Sequence, residues 1–363
     1  MSVNPEIYFV KELRCMLVGI GGVGKVILRH LIGQPWFRPV AFVDVDPLAL
    51  TDGRALIAPH VPGEFPDLGE ALKCIDADAV LINTPSELHY QQSLIAIDAG
   101  LHVCVAKPVT NDFAQAQDLV CRADAAGVTL SVKQQMRHNR HYQTVASFLR
   151  GGEIGQPEVI AFSNSKPRHK AYNLATMSQP ALFEMSCHHF DTLMAMFPDH
   201  APLRISCDGF RPSWSVYGGP CMVNALIELE GGVHVLYHGG FSSQSNWYEL
   251  RVEGSLGVLR CRGLHMSKDT MEYEIAPRGG EFEVRDLDKG CEPVDAFVKF
   301  LDLWAAYVDG GPEPPWSGRN NLKVFGLLSA AIDSIEQGGT PVRVARDGPY
   351  AEAYRTPGEW SVG

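Results

Sequence analysis

The stretch Cys15-Met16-Leu17-Val18-Gly19-Ile20-Gly21-Gly22-Val23-Gly24-Lys25-Val26 decides the reading of this chain. An apolar run leads straight into Gly19-x-Gly21-x-x-Gly24 and then into helical periodicity. That order predicts a strand, a turn too tight for a Cβ, and a helix whose first free N–H groups face an anion. Twenty residues beyond Gly24, the apolar run Val40-Ala41-Phe42-Val43 ends in Asp44, where an acidic side chain accepts hydrogen bonds from a ribose 2′-hydroxyl. A dinucleotide is therefore the expected ligand of Gly19, Gly21, Gly22, Val23, Gly24 and Asp44. The same residues approach a P-loop, Gly19-x-x-x-x-Gly24-Lys25, but Val26 stands where a Ser or Thr should ligate Mg²⁺. An NTPase is disfavoured, and Lys25 reads as an exposed residue of the first helical turn.

Around this motif the first 130-odd residues alternate strand and helix signals. Strands are expected at Cys15–Val18, Val40–Val43, Ala79–Asn83, His102–Val105 and Val128–Val132, with helices at Gly24–Ile32, Ser86–Ala99 and Asp112–Ala126. Gly33, Gly100 and Gly127 punctuate the helix ends as C-cap chemistry favours. This rhythm predicts an α/β fold with a doubly wound parallel sheet, whose ligands bind beyond the carboxyl ends of the strands. The second half changes texture. Alternating runs at Met222–Leu229, Val233–Tyr237 and Tyr248–Val252 predict an antiparallel sheet with a hairpin at Gly231-Gly232, and helices are expected near Val294–Val308 and Asn320–Gln337. The expected division is a dinucleotide-binding domain at 1–135, an α+β domain with a large, mainly antiparallel open sheet at 136–345, and a tail at 346–363 that is either disordered or a strap over another subunit.

Composition narrows the function classes. With 363 residues, 45% of them hydrophobic and 20% charged, the chain is an ordinary globular protein of about two domains. A net charge of −11 without a basic cluster argues against nucleic acid and acidic membranes as partners. No apolar run approaches bilayer length, and the first residues lack signal-peptide character, so a cytoplasmic location is expected. Nine cysteines without a Cys-x-x-Cys pair read as reduced, mostly buried thiols, and no metal site is expected.

Two further places carry chemistry. Lys107-Pro108 follows the fourth of these well-marked strands, which would bring a lysine to the mouth of the cofactor cleft; the bland alternative is a surface lysine before a loop proline. If Glu184-Met185-Ser186-Cys187-His188-His189-Phe190-Asp191 is helical, Glu184, His188 and Asp191 fall at i, i+4 and i+7 on one face. Such a stripe suits proton transfer and polyol binding; a solvated helix face, a packed His189 or a metal pair remain open.

Gly19-x-Gly21-x-x-Gly24, Asn83-Thr84-Pro85-x-x-x-His89, Lys107-Pro108 and Glu184-x-Ser186-x-His188-x-x-Asp191 together resemble, in order and spacing, the Gfo/Idh/MocA oxidoreductases, the glucose–fructose oxidoreductase and inositol dehydrogenase family. The resemblance spans most of the chain, to the helix entry at Ser317-Gly318-Arg319-Asn320-Asn321-Leu322. It implies a Rossmann domain followed by an α+β domain whose open sheet supports a homodimer or homotetramer. It also implies oxidation of a secondary hydroxyl on a sugar, sugar acid or cyclitol, or the reverse. By position, Lys107 and His188 match the proton-transfer residues, Glu184 the acidic partner, usually Asp, and Asp191 closes the motif. Asn83, Thr84, Pro85, His89, Ala106 and Lys107 fall to the cofactor. Ala106 replaces the usual Glu of Glu-Lys-Pro, and Ser186 stands where glycine is common.

Asp44 favours NAD over NADP, while Arg54 leaves dual use open. The basic run Lys166, Arg168, His169, Lys170 precedes the motif helix and makes an acidic substrate plausible, against a solvated loop. Arg168, Tyr172 and Arg137 join Lys107, Glu184, His188 and Asp191 as candidate substrate contacts, with a cofactor contact or a domain-linking role equally open for Arg137; Tyr172, Tyr248, Trp214, Trp247 and Trp316 are either aromatic platforms for a sugar or packed core residues. A non-catalytic sensor of the same fold is the rival function; retention of Lys107 and His188 weighs against it.

Overall fold

The computed structural model describes residues 11–60, 62–171, 174–264, 270–286, 295–345 and 347–354. The first compact unit comprises the described residues of Met1–Gln135 together with Asp295–Leu322. Its parallel sheet is built from β1 (Leu13–Val18), β2 (Phe37–Val43), β3 (Gly63–Phe65), β4 (Ala79–Ile82), β5 (His102–Val105) and β6 (Leu130–Val132), in the order β3-β2-β1-β4-β5-β6. Near-continuous apolar runs such as Ala79-Val80-Leu81-Ile82, buried at every position, are what a strand covered on both faces requires. The crossovers are α1 (Gly22–Ile32), α2 (Pro47–Ile57), α3 (Leu68–Cys74), α4 (His89–Asp98) and α5 (Phe113–Ala126). Asp46, Asp67 and Asp112 cap α2, α3 and α5 through their carboxylates. Gly100 and Gly127 end their helices at φ +75° and +68°, whereas Gly33 keeps φ −82° and is not a left-handed cap.

Helix α8 (Ala296–Val308) belongs to this first unit, although its sequence position suggests the second half. The reason is packing: Phe300, Leu301, Trp304 and Trp316 join Leu28, Phe37 and Phe42 in one apolar core, with Phe37 stacked on Trp304 at 5.3 Å. Trp36 Nε1–H donates to Asp302 Oδ1 at 3.1 Å. Trp316 is fully buried against Phe300, so it is a core residue and not a sugar platform.

The second unit comprises the described residues of Met136–Val294 and Lys323–Gly363. It opens with α6 (Arg140–Gly151), β7 (Pro157–Ser165) and α7 (Cys187–Met196). Strands β8 (Pro202–Phe210), β9 (Met222–Leu229), β10 (Val233–Gly240), β11 (Trp247–Gly254), β12 (Gly257–Gly263), β13 (Glu272–Pro277), β14 (Glu283–Arg285) and β15 (Val342–Arg343) complete a nine-stranded sheet with β7. Its order is β14-β13-β12-β11-β7-β10-β9-β8-β15, antiparallel except for the β7–β10 pair. Gly231 and Gly232, at φ +78° and +77°, turn β9 into β10. One face is buried and the other open, so β9 alternates buried with exposed residues, and Leu226 and Leu236 lie directly opposite each other on the open face. Of the long closing helix α9 (Gly318–Glu336), the part from Lys323 belongs to this unit, and a following segment folds back onto it: Tyr350 O–H donates to Asp333 Oδ2 at 2.5 Å and Tyr354 O–H to the Lys323 carbonyl at 2.9 Å. The remainder of the tail, from residue 355, lies outside the described residues. All eight described cysteines are free thiols, six of them buried.

Candidate active site

In the first unit the glycine turn stands where the strand order reverses, between β1 and β4. Gly19 has φ +82°, and a Cβ there would lie 2.8 Å from the Asn83 carbonyl carbon. A Cβ on Gly24 would fall 2.0 Å from the Gly19 carbonyl oxygen. These two glycines let loop and helix close on each other; Gly21 and Gly22 face open space instead. Helix α1 starts at an exposed N-terminus with neither a side-chain cap nor an acidic residue in its first turn. An uncapped N-terminus lined by glycine is a fitting cradle for a pyrophosphate. Val23 is exposed beside it, and Lys25 pairs with Asp52 of α2.

Asp44 leaves the end of β2 with its carboxylate aimed by two backbone donors, Ile20 N–H at 2.8 Å and Asp46 N–H at 2.9 Å. Arg54, the candidate for recognising a 2′-phosphate, is instead paired with Glu64 at 3.4 Å. On β4's exit, Asn83 Oδ1 accepts from the Lys133 ammonium at 2.5 Å. That bond fixes the amide orientation and leaves Asn83 Nδ2 buried without a hydrogen-bond partner, a donor suited to a ligand. Thr84 O–H donates to Gln92 Oε1 at 2.6 Å, and Pro85 is exposed. His89 ties this loop to the next one: its ring nitrogens lie 2.9 Å from the Thr84 carbonyl and 2.8 Å from the Pro108 carbonyl. A neutral ring donates to only one of them. Burial pushes the His89 pKa down, while the two carbonyls pull the other way.

Ala106 and Lys107 follow β5, both half-buried, and Lys107-Pro108 is a cis peptide. Lys133, which the sequence reading passed over, occupies the same kind of position one strand along. Its N–H donates to the Val105 carbonyl at 2.8 Å, directly after β6, and its side chain is buried. Burial lowers its pKa to about 8, reinforced by Lys107 and opposed by Cys104. The rule that ligands bind beyond strand ends applies to it as well as to Lys107; burial was the missing signal.

In the second unit the motif helix differs from the expected regular one. Leu182–Ser186 is a π-helical turn that passes into α7, so Glu184 and His188 do not follow the 3.6-residue period on which a shared stripe depends. Glu184 is half-buried and His188 is buried. Asp191 is fully buried and takes a bidentate pair from Arg137, Nε–Oδ2 at 2.9 Å and Nη2–Oδ1 at 2.5 Å. These two residues are committed to each other. Beneath the turn runs a complete hydrogen-bond chain: Asn164 Nδ2 to His189 Nε2 at 3.0 Å, His189 Nδ1 to Tyr237 Oη at 2.8 Å, Tyr237 O–H to Ser186 Oγ at 2.8 Å, and Ser186 O–H to the Ala181 carbonyl at 3.2 Å. His189 is thus a packed, neutral imidazole, its pKa pushed down to about 3 by burial and then by Lys166. The serine in place of glycine is one link of this chain. Tyr248 is a core residue, its hydroxyl 2.7 Å from His141 Nε2, while Trp214 and Trp247 are exposed. Lys166 and Arg168 are half-buried, and His169 and Lys170 exposed. Tyr172 lies outside the described residues. No group of three or more His, Cys, Asp or Glu among the described residues is placed to hold a metal ion.

The family model "Oxidoreductase family, NAD-binding Rossmann fold" matches residues 13–134, and the "GFO/IDH/MocA C-terminal domain" matches residues 142–260. The chain belongs to the Gfo/Idh/MocA oxidoreductase family. This oxidoreductase is 25% identical over 347 residues to the D-apiose dehydrogenase of Paraburkholderia graminis, covering 91% of this chain and 90% of that one. An oxidoreductase from Agrobacterium radiobacter, solved with NAD⁺, L-tartaric acid and magnesium, superposes with a TM-score of 0.80 at 18% identity, over 92% of this chain and 99% of the other. The WlbA dehydrogenase of Bordetella pertussis, solved with NADH and UDP-GlcNAcA, gives 0.78 at 20% identity, over 93% and 99%. The Rossmann unit is an NAD-binding one, and the enzyme is an NAD(P)-dependent dehydrogenase. No described helix is long and apolar enough to cross a membrane.

Proposed function

We propose that this enzyme oxidises a secondary hydroxyl of a sugar, sugar acid or cyclitol to the ketone, or catalyses the reverse reduction. The observation that carries the reading is the placement of the glycine turn, Asp44, Asn83 and Lys107 at the carboxyl ends of strands in one parallel sheet. Gly19, Gly21, Gly22, Val23 and Gly24 would hold the pyrophosphate, Asp44 the adenosine ribose, and Asn83, Thr84, Pro85, His89 and Ala106 the remainder of NAD. NAD, when bound, supplies the hydride acceptor.

The protein's share of the chemistry is proton transfer and orientation. Lys107 and His188 are assigned to it: one takes the hydroxyl proton, the other donates a hydrogen bond to the developing oxyanion. Glu184 orients the substrate or His188 through its carboxylate. Asp191, which closes the family motif, and Arg137, a candidate ligand contact from its place just beyond the first domain, are better read as the clamp that holds α7 in place. Asp44 and the diversion of Arg54 to Glu64 favour NAD over NADP. Apiose, tartaric acid and UDP-GlcNAcA, named with the relatives, are all polyhydroxylated, which fits the substrate class.

The test is NADH formation across a panel of sugars, sugar acids and cyclitols, repeated with NADP⁺. Turnover with at least one panel member, faster with NAD⁺, supports the reading. NADH binding without turnover of any member, in either direction, contradicts it.

A further inference from the structure

Among the described residues of the second unit, one cation has no carboxylate partner. Arg168 makes no ion pair with any described residue; its guanidinium carbon instead sits 4.2 Å above the centre of the Phe241 ring. The backbone around it is fixed. Lys166 N–H donates to the Gly240 carbonyl and Arg168 N–H to the Phe241 carbonyl, each at 2.8 Å, so the basic run prolongs β7 beside the end of β10. Stacking on an aromatic face holds the planar guanidinium while its N–H edges stay available for a planar anion.

A second residue on the same Phe241 ring points the same way. Tyr217 is buried, 1% exposed, and stacks on Phe241 with centroids 5.8 Å apart. Its backbone is pinned by Arg211 Nη1–H to the Tyr217 carbonyl at 3.2 Å and by Gly218 N–H to the Ala175 carbonyl at 2.9 Å. Its hydroxyl lies within reach of the Arg168 guanidinium, yet no well-aligned hydrogen bond satisfies it among the described residues. A buried hydroxyl without a partner carries a cost that a ligand can relieve. Burial raises the Tyr217 pKa; Arg168 opposes that through its charge and its side-chain contact, while Cys221 and Glu184 add to it, so Arg168 and Glu184 both reach this hydroxyl. Arg168, Tyr217 and Glu184 therefore share one neighbourhood on the unit that also carries His188.

From this geometry we infer that the substrate bears a carboxylate, bound by Arg168 and Tyr217, which makes the enzyme a dehydrogenase of hydroxylated acids such as aldonates or uronates rather than of neutral sugars. Arg168 supplies a bidentate, charge-assisted contact, and Tyr217 O–H a second donor to the carboxylate; the charge-assisted Arg168 contact is what separates it from a neutral hydroxymethyl group. Glu184, a carboxylate itself, faces the polyol hydroxyls. The inference rests on the dehydrogenase reading above, and its test separates the two.

Matched pairs of ligands are titrated calorimetrically into the NADH-loaded enzyme: an aldonate and its alditol, a uronate and its aldose, and the corresponding sugar phosphate. The same ligands are assayed for turnover. The expected result is that an acid binds at least about 10-fold tighter than its neutral partner and than the phosphate. Arg168→Met then removes that preference, weakening the acid about 10- to 100-fold while the neutral partner and NADH affinity stay within twofold. Tyr217→Phe weakens the acid about 3- to 10-fold, and Arg168→Lys restores part of the loss. Equal binding of acid and neutral partners, tighter binding of the phosphate, or equal losses for both ligands in Arg168→Met each overturn the carboxylate assignment. Selective acid binding without turnover would leave the anion site standing and remove the proposed hydroxyl oxidation; turnover of neutral sugars alone would do the opposite.

Discussion

Lys133 shows at the level of one side chain how much burial adds to a sequence. As a residue type in a string it is one lysine among many; folded, it is a buried ammonium held to Asn83 at the end of β6. Its folded pKa, about 8, lies below the unfolded value of about 10.4. Between those values the unfolded chain binds more protons, so the contribution of Lys133 to stability rises with pH there and is lost as pH falls through about 8. In urea denaturation the stability of the wild type relative to Lys133→Met should improve by up to about 3 kcal/mol between pH 7 and 10.5. A difference that does not change with pH would show that Lys133 is hydrated or otherwise paired. The glycines and Asp44, by contrast, were legible, because a tight turn and an uncapped helix start are local matters written in adjacent residues. The commitment of Arg54 to Glu64 was not, since it joins α2 to a three-residue strand too short to show a period.

Helix α7 and the π turn before it show where periodicity misleads. Glu184, His188 and Asp191 are spaced for an α-helical face, but the π turn at Leu182–Ser186 breaks that register and Asp191 is spent on Arg137. The pairing joins residues 54 positions apart, which no local pattern announces. Because both partners are buried, removing one strands the other: Asp191→Ala should cost about 3–5 kcal/mol in chemical denaturation. The double variant Arg137→Met/Asp191→Leu should recover a large part of that loss. If Asp191→Ala changes stability by less than about 1 kcal/mol, the pair is not the clamp described here. The strands carry a more direct sequence signal than this helix. Burial on both faces yields continuous apolar runs in β4 and β5, and burial on one face yields alternation in β9 and β10.

For the whole molecule, the succession of a parallel and then a mainly antiparallel sheet could be read from texture, but the return of α8 to the first unit could not. That placement depends on Trp304 and Phe300 finding Phe37 and Leu28 across more than 260 residues of chain. The open face of the nine-stranded sheet bears on assembly. Leu226 and Leu236 are 60% and 50% exposed on neighbouring strands, an apolar patch of the kind that self-association buries. Sedimentation should give a dimer or tetramer for the wild type and smaller species for Leu226→Glu/Leu236→Glu; a monomeric wild type would remove this assignment. The central claim, proton transfer by Lys107 and His188 in an NAD-dependent oxidation, is tested most directly by comparing Lys107→Ala and His188→Ala with the wild type. NADH formation from a turned-over substrate and the Kd for NADH should be measured on the same preparations. Loss of kcat by at least about 100-fold in both variants, with NADH affinity within a few-fold, is the predicted result. Retention of wild-type kcat in either variant would contradict it.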